Sequence, residues 1–432
     1  MSTEMTTEMS TETTTEVTMD VCGCEVSRRG LLAGTVAAAF AGLAGTQLDT
    51  GLAFAADPSY AGDVFVLLSL RGGFDGLSAV VPAGDPAYYA ARPGIAVPKS
   101  RLIGGDAFFG LNPGLAPLLP YWTAGQLAAV HAVGQPAPNR SHFAAMEDLE
   151  RAAPGTSIRT GWLNRMLGVL GASDPFQAVM VGSAMPARLF AGAAPSLGLT
   201  GVDDLKLAGD GPGAPLAATM AKIYQGAPDA LAHPAARLAG ALTTGAGLRA
   251  EGYRPSNGAV YPDTELGAAL RDVARLIKSD VGLLSAAVDS GDWDMHENLG
   301  TATAGGLMFD HLRALATALA AFAADLGPAG LNRVTLITIS EFGRRVTENG
   351  SGGLDHGYGN AMFVLGGNVK GGRVYGRWPG LTENRLRDGD LAVTTDYRSV
   401  IGEILRDRCG LADLNGVFPG ARPSALGIVR SR

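Results

Sequence analysis

The sequence lacks a large excess of charge of either sign. Of the 34 basic and 41 acidic side chains in the chain, residues 1–55 hold two and seven, so 32 basic and 34 acidic side chains remain after residue 55. A nearly neutral body offers no electrostatic attraction to a polyanion, because binding to nucleic acid depends on clustered lysine and arginine. The composition therefore excludes nucleic acid as an expected partner.

Long hydrophobic runs are also missing. The largely apolar stretch from Leu31 to Leu43 has 13 residues, whereas a helix needs about 20 to cross a bilayer. It follows the pair Arg28 and Arg29 and precedes the small-x-small sequence of residues 53–55. These features predict a twin-arginine (Tat) signal peptide that is cleaved before Ala56, with an uncleaved membrane anchor as the alternative.

Export by this route defines the expected location and the first partner. We expect the Tat translocation machinery to carry the protein to the periplasm or the extracellular space. No later segment has the pattern of a membrane span, so no stable span is expected after cleavage.

The first residues have a composition of their own. Residues 1–19 are a low-complexity run of Met, Ser, Thr and Glu without an apolar period. A start at Met19 would omit nearly all of this run, which suggests a misplaced start codon. We therefore divide the chain into a leader with the signal peptide, residues 1–55, and a single domain, residues 56–432.

Cysteine is scarce, with three in 432 residues. Cys22 and Cys24 precede the twin arginines and leave with the signal peptide, so Cys409 is the one thiol expected in the mature chain. One thiol excludes an internal disulfide, although an oxidising compartment would permit disulfides. Stability must come from the size of the core, which about 375 residues can supply.

Strand-like and helix-like patterns alternate through the domain. Short apolar runs predict strands over five segments: 64–70, 128–133, 176–181, 333–340 and 361–365. Helical patterns cover six segments, the first of them only in part: 115–127, 141–150, 160–168, 266–284, 309–326 and 395–409. This alternation predicts an α/β fold with a doubly wound, mainly parallel sheet and helices on both faces. Residues 190–260, rich in Ala, Gly and Pro, predict a helical and loop insertion.

In a sheet of this kind, ligands bind beyond the carboxyl ends of the strands. Polar residues cluster after predicted strands or in a glycine-rich loop: Asp75, Ser141, His142, Asp294, His296, Glu341, Asp355 and His356. Carboxylates and imidazoles together suit a divalent cation such as zinc, manganese or calcium. Such an ion can polarise a phosphoryl or sulfuryl oxygen and lower the pKa of a nucleophilic hydroxyl.

Several of these residues also have a purely structural interpretation. Asp75 can cap the turn that follows two glycines, and Ser141 can cap a helix. Glu341 can form an ion pair with a nearby arginine. Asp355 and His356 are the strongest functional candidates, because loops at the carboxyl edge of a sheet carry function.

Six short motifs carry a family resemblance: Arg71-Gly-Gly-Phe-Asp-Gly-Leu77, Arg140-Ser-His-Phe143, Asp294-Met-His296, Ser340-Glu-Phe-Gly-Arg344, Asp355-His-Gly357 and Thr395-Asp-Tyr-Arg-Ser399. They resemble, in the same order, the motifs of the family named domain of unknown function 1501 (DUF1501). Members of that family usually begin with a Tat signal. The resemblance runs from about residue 63 to residue 411, nearly the whole expected mature chain.

The DUF1501 family in turn resembles the alkaline phosphatase and sulfatase superfamily. That resemblance implies a doubly wound α/β fold with one or two metals and a Ser, Thr or modified Cys nucleophile at a helix N-terminus. It implies that Ser141 is the nucleophile, helped by the positive end of its helix. It also implies metal ligands at Asp75, Asp294, His296 and His356.

Two departures from the superfamily pattern leave alternatives open. The superfamily commonly has Asp-His directly after its strongest strand, where this chain has Glu341 and Phe342. Its usual Asp-x-x-x-His spacing is shortened here to Asp294-Met-His296. One metal, an altered metal such as calcium, and no metal are all compatible with the sequence.

The sequence predicts an exported metal-dependent hydrolase that acts on small phosphate or sulfate esters. Ser141 is the predicted nucleophile, and His142 with Arg71 or Arg140 would neutralise the non-bridging oxygens. The predicted metal ligands are Asp75, Asp294, His296, Glu341, Asp355 and His356. The main alternative is a non-catalytic exported binding or assembly protein that keeps the fold, and a phosphomutase-like enzyme is a weaker one.

Overall fold

The computed structural model describes residue 60 and residues 62–207, 216–300 and 302–432. All of these belong to the unit Ala44–Arg432. The predicted leader, residues 1–55, and the expected cleavage site before Ala56 lie outside the described residues. Export therefore stays a prediction from the sequence.

Eleven strands occur among the described residues: β1 (Val64–Leu70), β2 (Val80–Val81), β3 (Gly110–Leu111), β4 (Leu127–Gly134), β5 (Ala178–Val181), β6 (Leu197–Leu199), β7 (Ser285–Ser290), β8 (Val334–Ile339), β9 (Asn360–Gly366), β10 (Val374–Tyr375) and β11 (Thr395–Asp396). Nine of them form one sheet in the order β10-β4-β9-β8-β1-β7-β5-β6, with β11 beside β4. Strands β2 and β3 form a separate antiparallel pair.

Strand β9 runs against its neighbours in the large sheet. It pairs antiparallel with β4 and with β8, whereas the other pairings described for this sheet are parallel. The carboxyl ends of β1, β4, β7 and β8 therefore meet the amino end of β9 along one side, which we call the carboxyl edge. The expectation of a mainly parallel α/β sheet is confirmed, with β9 as the exception.

Ten α-helices are described: α1 (Gly76–Ala79), α2 (Pro86–Ala91), α3 (Leu119–Thr123), α4 (His142–Arg151), α5 (Trp162–Val169), α6 (Leu216–Ile223), α7 (Asp229–Glu251), α8 (Glu265–Lys278), α9 (Leu307–Leu331) and α10 (Tyr397–Asp407). Six short 3₁₀ helices accompany them: Lys99–Arg101, Pro113–Leu118, Pro175–Gln177, Arg188–Phe190, Val202–Asp204 and Glu383–Arg385.

Helices pack on both faces of the sheet, because successive side chains of a strand point to opposite sides. In β1, Phe65 and Leu67 join a core with residues of α4, α5 and α10. Val66 and Leu68 join a second core with residues of α8 and α9. All seven β1 residues are buried, and burying each large apolar side chain contributes about 1.5–3 kcal/mol. Two cores therefore hold the central strand in place.

Helix α9 is long and apolar enough, by length and composition, to cross a membrane. More than half of its most apolar window is buried within the protein. Leu312, Leu319 and Phe322 are fully buried in the core. Gly327, with φ 64° and ψ 179°, interrupts the helical backbone just before Pro328. These contacts are typical of a core helix that packs against a sheet.

One expected helix was too long. The helical pattern over residues 266–284 extended up to the start of the next strand, whereas α8 ends at Lys278. Asp280 and Gly282 have positive φ values of 46° and 78°, which are incompatible with a continuing helix. The apolar run that follows forms the interior strand β7, which begins at Ser285.

The segment 190–260 also differs in part from the expectation of helices and loops. It contains α7 and α6, but Leu197–Leu199 adds β6 to the large sheet, parallel to β5. A three-residue strand with a central glycine is too short to show the alternation of apolar and polar residues that predicts a strand. Residues 208–215 of this segment lie outside the described residues.

His131 in β4 is a buried, neutral histidine. Its Nε2 atom lies 2.9 Å from the Val80 carbonyl oxygen, and its Nδ1 atom accepts a hydrogen bond of 2.9 Å from the Ala132 amide. These partners require a proton on Nε2 and none on Nδ1. Burial lowers the pKa of His131 to about 4.

His131 should therefore make the stability of the protein sensitive to acid. Its folded pKa lies below the unfolded value of about 6.5, so the unfolded chain takes up the proton first as pH falls. The free energy of unfolding should drop by about 3 kcal/mol between pH 6.5 and pH 4 from this residue alone. His131→Gln, which cannot titrate, should remove this part of the pH dependence in urea unfolding experiments. The assignment would be contradicted if the free energy of unfolding fell with pH as steeply in His131→Gln as in the wild type and in the His233→Gln control.

Candidate functional site

Six of the predicted site side chains lie at the carboxyl edge: His142, Asp294, His296, Glu341, Asp355 and His356. His142 begins α4 after β4, and Asp294 and His296 follow β7. Glu341 follows β8, and His356 precedes the antiparallel β9. The reversed direction of β9 explains why a loop before a strand supplies a residue to an edge otherwise built from loops after strands. We call His142, Asp294, His296 and His356 the histidine cluster.

The imidazole Nε2 atoms of this cluster converge on the Asp294 carboxylate. His356 Nε2 lies 3.1 Å from His142 Nε2 and 3.0 Å from His296 Nε2. Asp294 Oδ1 lies 3.2 Å from His356 Nε2 and 3.0 Å from His296 Nε2, and Asp294 Oδ2 lies 3.4 Å from His142 Nε2. One ligand atom each of His142, Asp294 and His356 lies within 4.8 Å of the others, a spacing that could hold a metal ion.

The opposite ring nitrogen of each imidazole faces an oxygen atom. The Nδ1 partners are Glu341 Oε1 for His142 at 2.7 Å, Asp355 Oδ1 for His296 at 3.3 Å and the Arg140 carbonyl for His356 at 2.9 Å. A carbonyl or carboxylate oxygen only accepts, so each Nδ1 donates its proton and each neutral ring turns the Nε2 lone pair to the cluster. Metal-ligating histidines are oriented in this way.

Converging lone pairs repel one another. Neutral Nε2 atoms at 3.0 Å and 3.1 Å can be neighbours only when a proton or a cation lies between them. A divalent cation would face three imidazole nitrogens and one carboxylate, a set that borderline metals bind well. The donor set therefore fits a metal, with His142, Asp294 and His356 as its holders and His296 beside them.

Arg344 lies buried beneath the cluster and holds Asp294. Its Nη2 donates to Asp294 Oδ1 at 2.6 Å, and its side chain is 1% exposed. Partial burial raises the pKa of Asp294, but the hydrogen bond and charge of Arg344, with the neighbouring imidazoles, outweigh it and lower the pKa to about 2. Asp294 is therefore ionised at neutral pH.

The same guanidinium donates to four backbone carbonyls. Arg344 bonds to Gly73 at 2.6 Å, to Leu354 at 2.8 Å, to Trp293 at 3.1 Å and to Gly72. Gly72 has φ 115°, and a Cβ atom there would lie 2.6 Å from the Asp294 amide nitrogen. Only glycine permits the segment after β1 to approach the segment after β7 so closely.

Glu341 orients His142 and is itself buried. Its Oε1 accepts from the Gly72 amide at 2.9 Å as well as facing His142, and its Oε2 accepts from Ser340 Oγ at 3.0 Å. Asp355 plays the same part for His296 and is more exposed. Both carboxylates, which the sequence predicted as metal ligands, hold the imidazoles from behind in this geometry.

Phe342 packs against two rings of the cluster. Its ring centroid lies 4.8 Å from that of His142 and 4.7 Å from that of His356. Gly73, with φ 71°, leaves room for it, because a Cβ atom there would lie 2.6 Å from the Phe342 ring. The phenylalanine that departs from the superfamily pattern thus forms an apolar wall of the site.

Two predicted residues are not brought into the cluster. Asp75 caps α1, and its two oxygens accept from buried Arg92 at 2.6 Å and 3.0 Å. Burial raises the pKa of Asp75, but the Arg92 charge outweighs this and lowers it. Arg71 pairs with Glu150 at 3.1 Å and with Asp289 at 2.6 Å. Asp75 is thus held in a buried ion pair with Arg92, and Arg71 lies between two carboxylates.

Ser141 lies at the N-cap position of α4, next to His142. It is exposed, and its side chain makes no capping hydrogen bond. Its amide donates to Asn139 Oδ1 at 3.0 Å, and its carbonyl accepts from Ala145. Its hydroxyl is therefore not engaged in capping the helix.

Sequence reasoning missed Asn349 as a positioning residue. Its Nδ2 donates to the His296 carbonyl at 2.8 Å and to Asp355 Oδ1 at 3.1 Å, and its Oδ1 accepts from the Gly353 amide at 3.0 Å. The hydrogen bond from Asn349 lowers the pKa of Asp355. An asparagine among glycines is an ordinary turn residue, so no pattern set it apart.

Arg344 also escaped notice as a site residue, and it should be important for stability. Arg344→Ala should lower the free energy of unfolding by at least about 3 kcal/mol, because it leaves buried carbonyls without donors. Urea unfolding measures this loss. Arg345→Ala is the matched control and should cost less than about 1 kcal/mol, because that side chain is partly exposed and Arg140 still pairs with Asp390. Equal losses in both variants would contradict the role given to Arg344.

Comparisons with known proteins give the family. A search of curated proteins finds no match. Among solved structures, the crystal structure of PsFucS1 sulfatase from Pseudoalteromonas sp. is similar, with 13% identity, a TM-score of 0.35, and coverage of 86% of this chain and 74% of that chain. A family model described as "Protein of unknown function (DUF1501)" matches residues 112–401. Because this match spans more than half of the chain and confirms the resemblance of the motifs, the chain belongs to the DUF1501 family.

Proposed function

We propose that this protein is a metal-dependent hydrolase of phosphate or sulfate esters. One observation carries the proposal: three imidazoles and the Asp294 carboxylate converge at the carboxyl edge while each Nδ1 proton is directed to an oxygen behind the ring. Ligands of α/β sheets bind at this edge. The proposal includes an alkaline-phosphatase-like form of the α/β fold.

The donor set favours zinc or manganese over calcium. Calcium takes six to eight oxygen ligands, whereas this cluster offers imidazole nitrogens and one carboxylate. His142, Asp294 and His356 would be the three protein ligands typical of a catalytic zinc site, and His296 is a fourth candidate. The chemistry that a bound ion supplies is polarisation of a non-bridging oxygen and a lower pKa for a nearby hydroxyl.

The remaining side chains have supporting roles. Glu341, Asp355 and the Arg140 carbonyl fix the tautomers of the three imidazoles. Arg344 keeps Asp294 ionised. Phe342 excludes water from one side of His142 and His356. Asp75 and Arg71, which are held in other ion pairs, have no role in this scheme.

Ser141 is the proposed nucleophile, since its exposed hydroxyl precedes His142 at the N-terminus of α4. Its Oγ bonds to phosphorus or sulfur as the ester bond to the alcohol oxygen breaks, and the serine proton leaves with the alcohol. Water then cleaves the seryl ester, returns a proton to Oγ and releases inorganic phosphate or sulfate. The positive end of α4 favours the anionic group during both steps.

We propose that the protein works after export by the Tat pathway, in the periplasm or outside the cell. The support is the twin-arginine segment of the sequence around Arg28 and Arg29. A reporter that folds before transport, fused to residues 1–60, should be exported by a Tat-competent host and retained when both arginines are replaced by lysine.

Purified protein should contain close to one equivalent of zinc or manganese by elemental analysis. His356→Ala and Asp294→Asn should lose this metal, and Glu341→Gln should weaken its binding about 10- to 100-fold, because His142 then lacks its orienting carboxylate. His233→Ala, which removes a histidine from α7, is the matched control and should retain the metal. A full metal content in both His356→Ala and Asp294→Asn would show that the metal binds elsewhere in the protein and would contradict the site.

Ser141→Ala should abolish most turnover while leaving metal content unchanged. The expected loss in kcat on 4-nitrophenyl phosphate or sulfate is about 1,000-fold or more, because the covalent step is removed. Ser173→Ala, another exposed serine, is the matched control. Full turnover in Ser141→Ala would exclude it as the nucleophile. Bound metal without turnover of any aryl phosphate or sulfate would instead support the non-catalytic binding or assembly protein.

A further inference from the structure

We infer that an open cavity beside the histidine cluster holds a second anionic group of the same ligand, bound by Arg140 and Arg345. The inference rests on the proposed function in one respect, since it takes the reacting ester group to lie at the histidine cluster. The chemical class of the second group is an oxyanion: a carboxylate, a sulfate or a phosphate. The oxygen atoms of such a group can accept hydrogen bonds from two N–H groups of one planar guanidinium.

The cavity joins the cluster to the two arginines. It has a volume of about 350 Å³ and opens to solvent, and its lining consists of Arg140, His296, Arg345, Asp355 and His356. Two of the imidazoles that face Asp294 thus share a wall with two guanidinium groups. A ligand with its reacting group at the cluster would extend into this cavity.

Both guanidinium groups are anchored from behind by one loop. Arg140 Nε lies 2.9 Å from Asp390 Oδ2, and Arg345 Nε lies 3.3 Å from Asp390 Oδ1. Each Nη2 donates to the Asp388 carbonyl, at 3.1 Å for Arg140 and 2.8 Å for Arg345. Asp390 is fully buried, so its carboxylate orients the arginines without occupying the cavity.

This anchoring leaves a donor on each arginine. Within residues 62–207, 216–300 and 302–432, the Nη1 atoms of Arg140 and Arg345 have no acceptor. A single arginine would suffice to neutralise Asp390, so the second guanidinium is not required by that ion pair. Asp355, the acidic side chain in the cavity wall, faces His296 and accepts from Asn349 through its Oδ1 atom. The free donors in the wall therefore belong to the arginines.

The backbones of the same two residues contact His356 of the cluster and its neighbour Asp355. The Arg140 carbonyl accepts from His356 Nδ1, and the Arg345 amide donates to the Asp355 carbonyl at 2.9 Å. The Arg140 guanidinium also lies over the Tyr358 ring, 4.6 Å from its centroid, which limits its freedom. The backbones of Arg140 and Arg345 are bound next to the histidines while their side chains line the cavity. The second anion site therefore stays close to the cluster. The structure thus fits a ligand that carries two acidic groups.

Calorimetry on the full chain, with its metal content checked before and after each titration, can test this inference. The probes are methylene-, ethylene- and propylene-bisphosphonate, each compared with the methyl-, ethyl- or propylphosphonate of matching length. In the wild type, a bisphosphonate of at least one spacing should bind about 10- to 100-fold more tightly than its monophosphonate, as expected for added charge-assisted hydrogen bonds.

Arg345→Gln should remove this advantage while leaving the monophosphonate affinity within about twofold, and Arg345→Lys should restore part of it, because lysine keeps the charge but not the fork. Arg387→Gln is the matched control, since Arg387 is a nearby exposed arginine outside the cavity lining. It should retain the full advantage.

Three results would overturn the inference: no bisphosphonate advantage at any spacing, an advantage that survives Arg345→Gln, or an equal loss in Arg387→Gln. An equal loss of monophosphonate affinity in Arg345→Gln, without a bisphosphonate advantage, would show a site for one free anion and also contradict it. Failure of the proposed function is separate: an intact advantage with no ester turnover would leave the two-anion site standing and remove the hydrolase.

Discussion

The buried guanidinium of Arg344 is the contact on which the site depends. It binds carbonyls after β1, after β7 and in the loop before β9, and it also binds the Asp294 carboxylate. These segments are far apart in sequence and meet only at the carboxyl edge. Since an arginine carries five donors in a fixed plane, one side chain can set the relative positions of several loops. Without it, buried carbonyls would lack donors and Asp294 would lose its cation.

The second layer of the site then decides what the histidines can do. His142, His296 and His356 each direct an Nδ1 proton away from the centre, to a carboxylate or a carbonyl. The result is a centre with several nitrogen lone pairs and one negative charge. A bound cation would stabilise such a centre better than protons alone. The adjacent arginines lie beyond this centre, and they give the wall of the cavity the opposite character. The proposals of a metal at the cluster and of an oxyanion beside it both rest on that separation.

Much of the site could be predicted because chemistry in parallel sheets lies at strand exits. Asp294, His296 and Glu341 follow strands β7 and β8, and their convergence needed only the sheet. His356 was chosen for its glycine-rich loop, and the reason that it reaches the same edge, the reversed direction of β9, could not be derived from an apolar run alone. Alternation of residue types does not encode strand direction.

The hydrogen-bond and ion-pair partners of the site residues were harder to predict than the positions of those residues in the fold. Asp75 follows β1 as expected, yet Arg92, 17 residues later, occupies both of its oxygens. Glu341 was expected to pair with a neighbouring arginine or to bind metal, and its closest contact in the site is with His142, 199 residues away in sequence. Arg344, Asn349 and Asp390 act through contacts that form only after the loops have folded together. Long-range partner choice is set by tertiary geometry, which spacing along the chain does not reveal.

The most direct test of the central claim is anomalous diffraction from a crystal of the purified protein, recorded on both sides of the zinc and manganese absorption edges. A metal bound as proposed should give one anomalous peak within about 2.3 Å of His142 Nε2, His356 Nε2 and an Asp294 oxygen, as for a protein-bound zinc ion. A peak bound by other residues, or none in protein supplied with both metals, would contradict the claim.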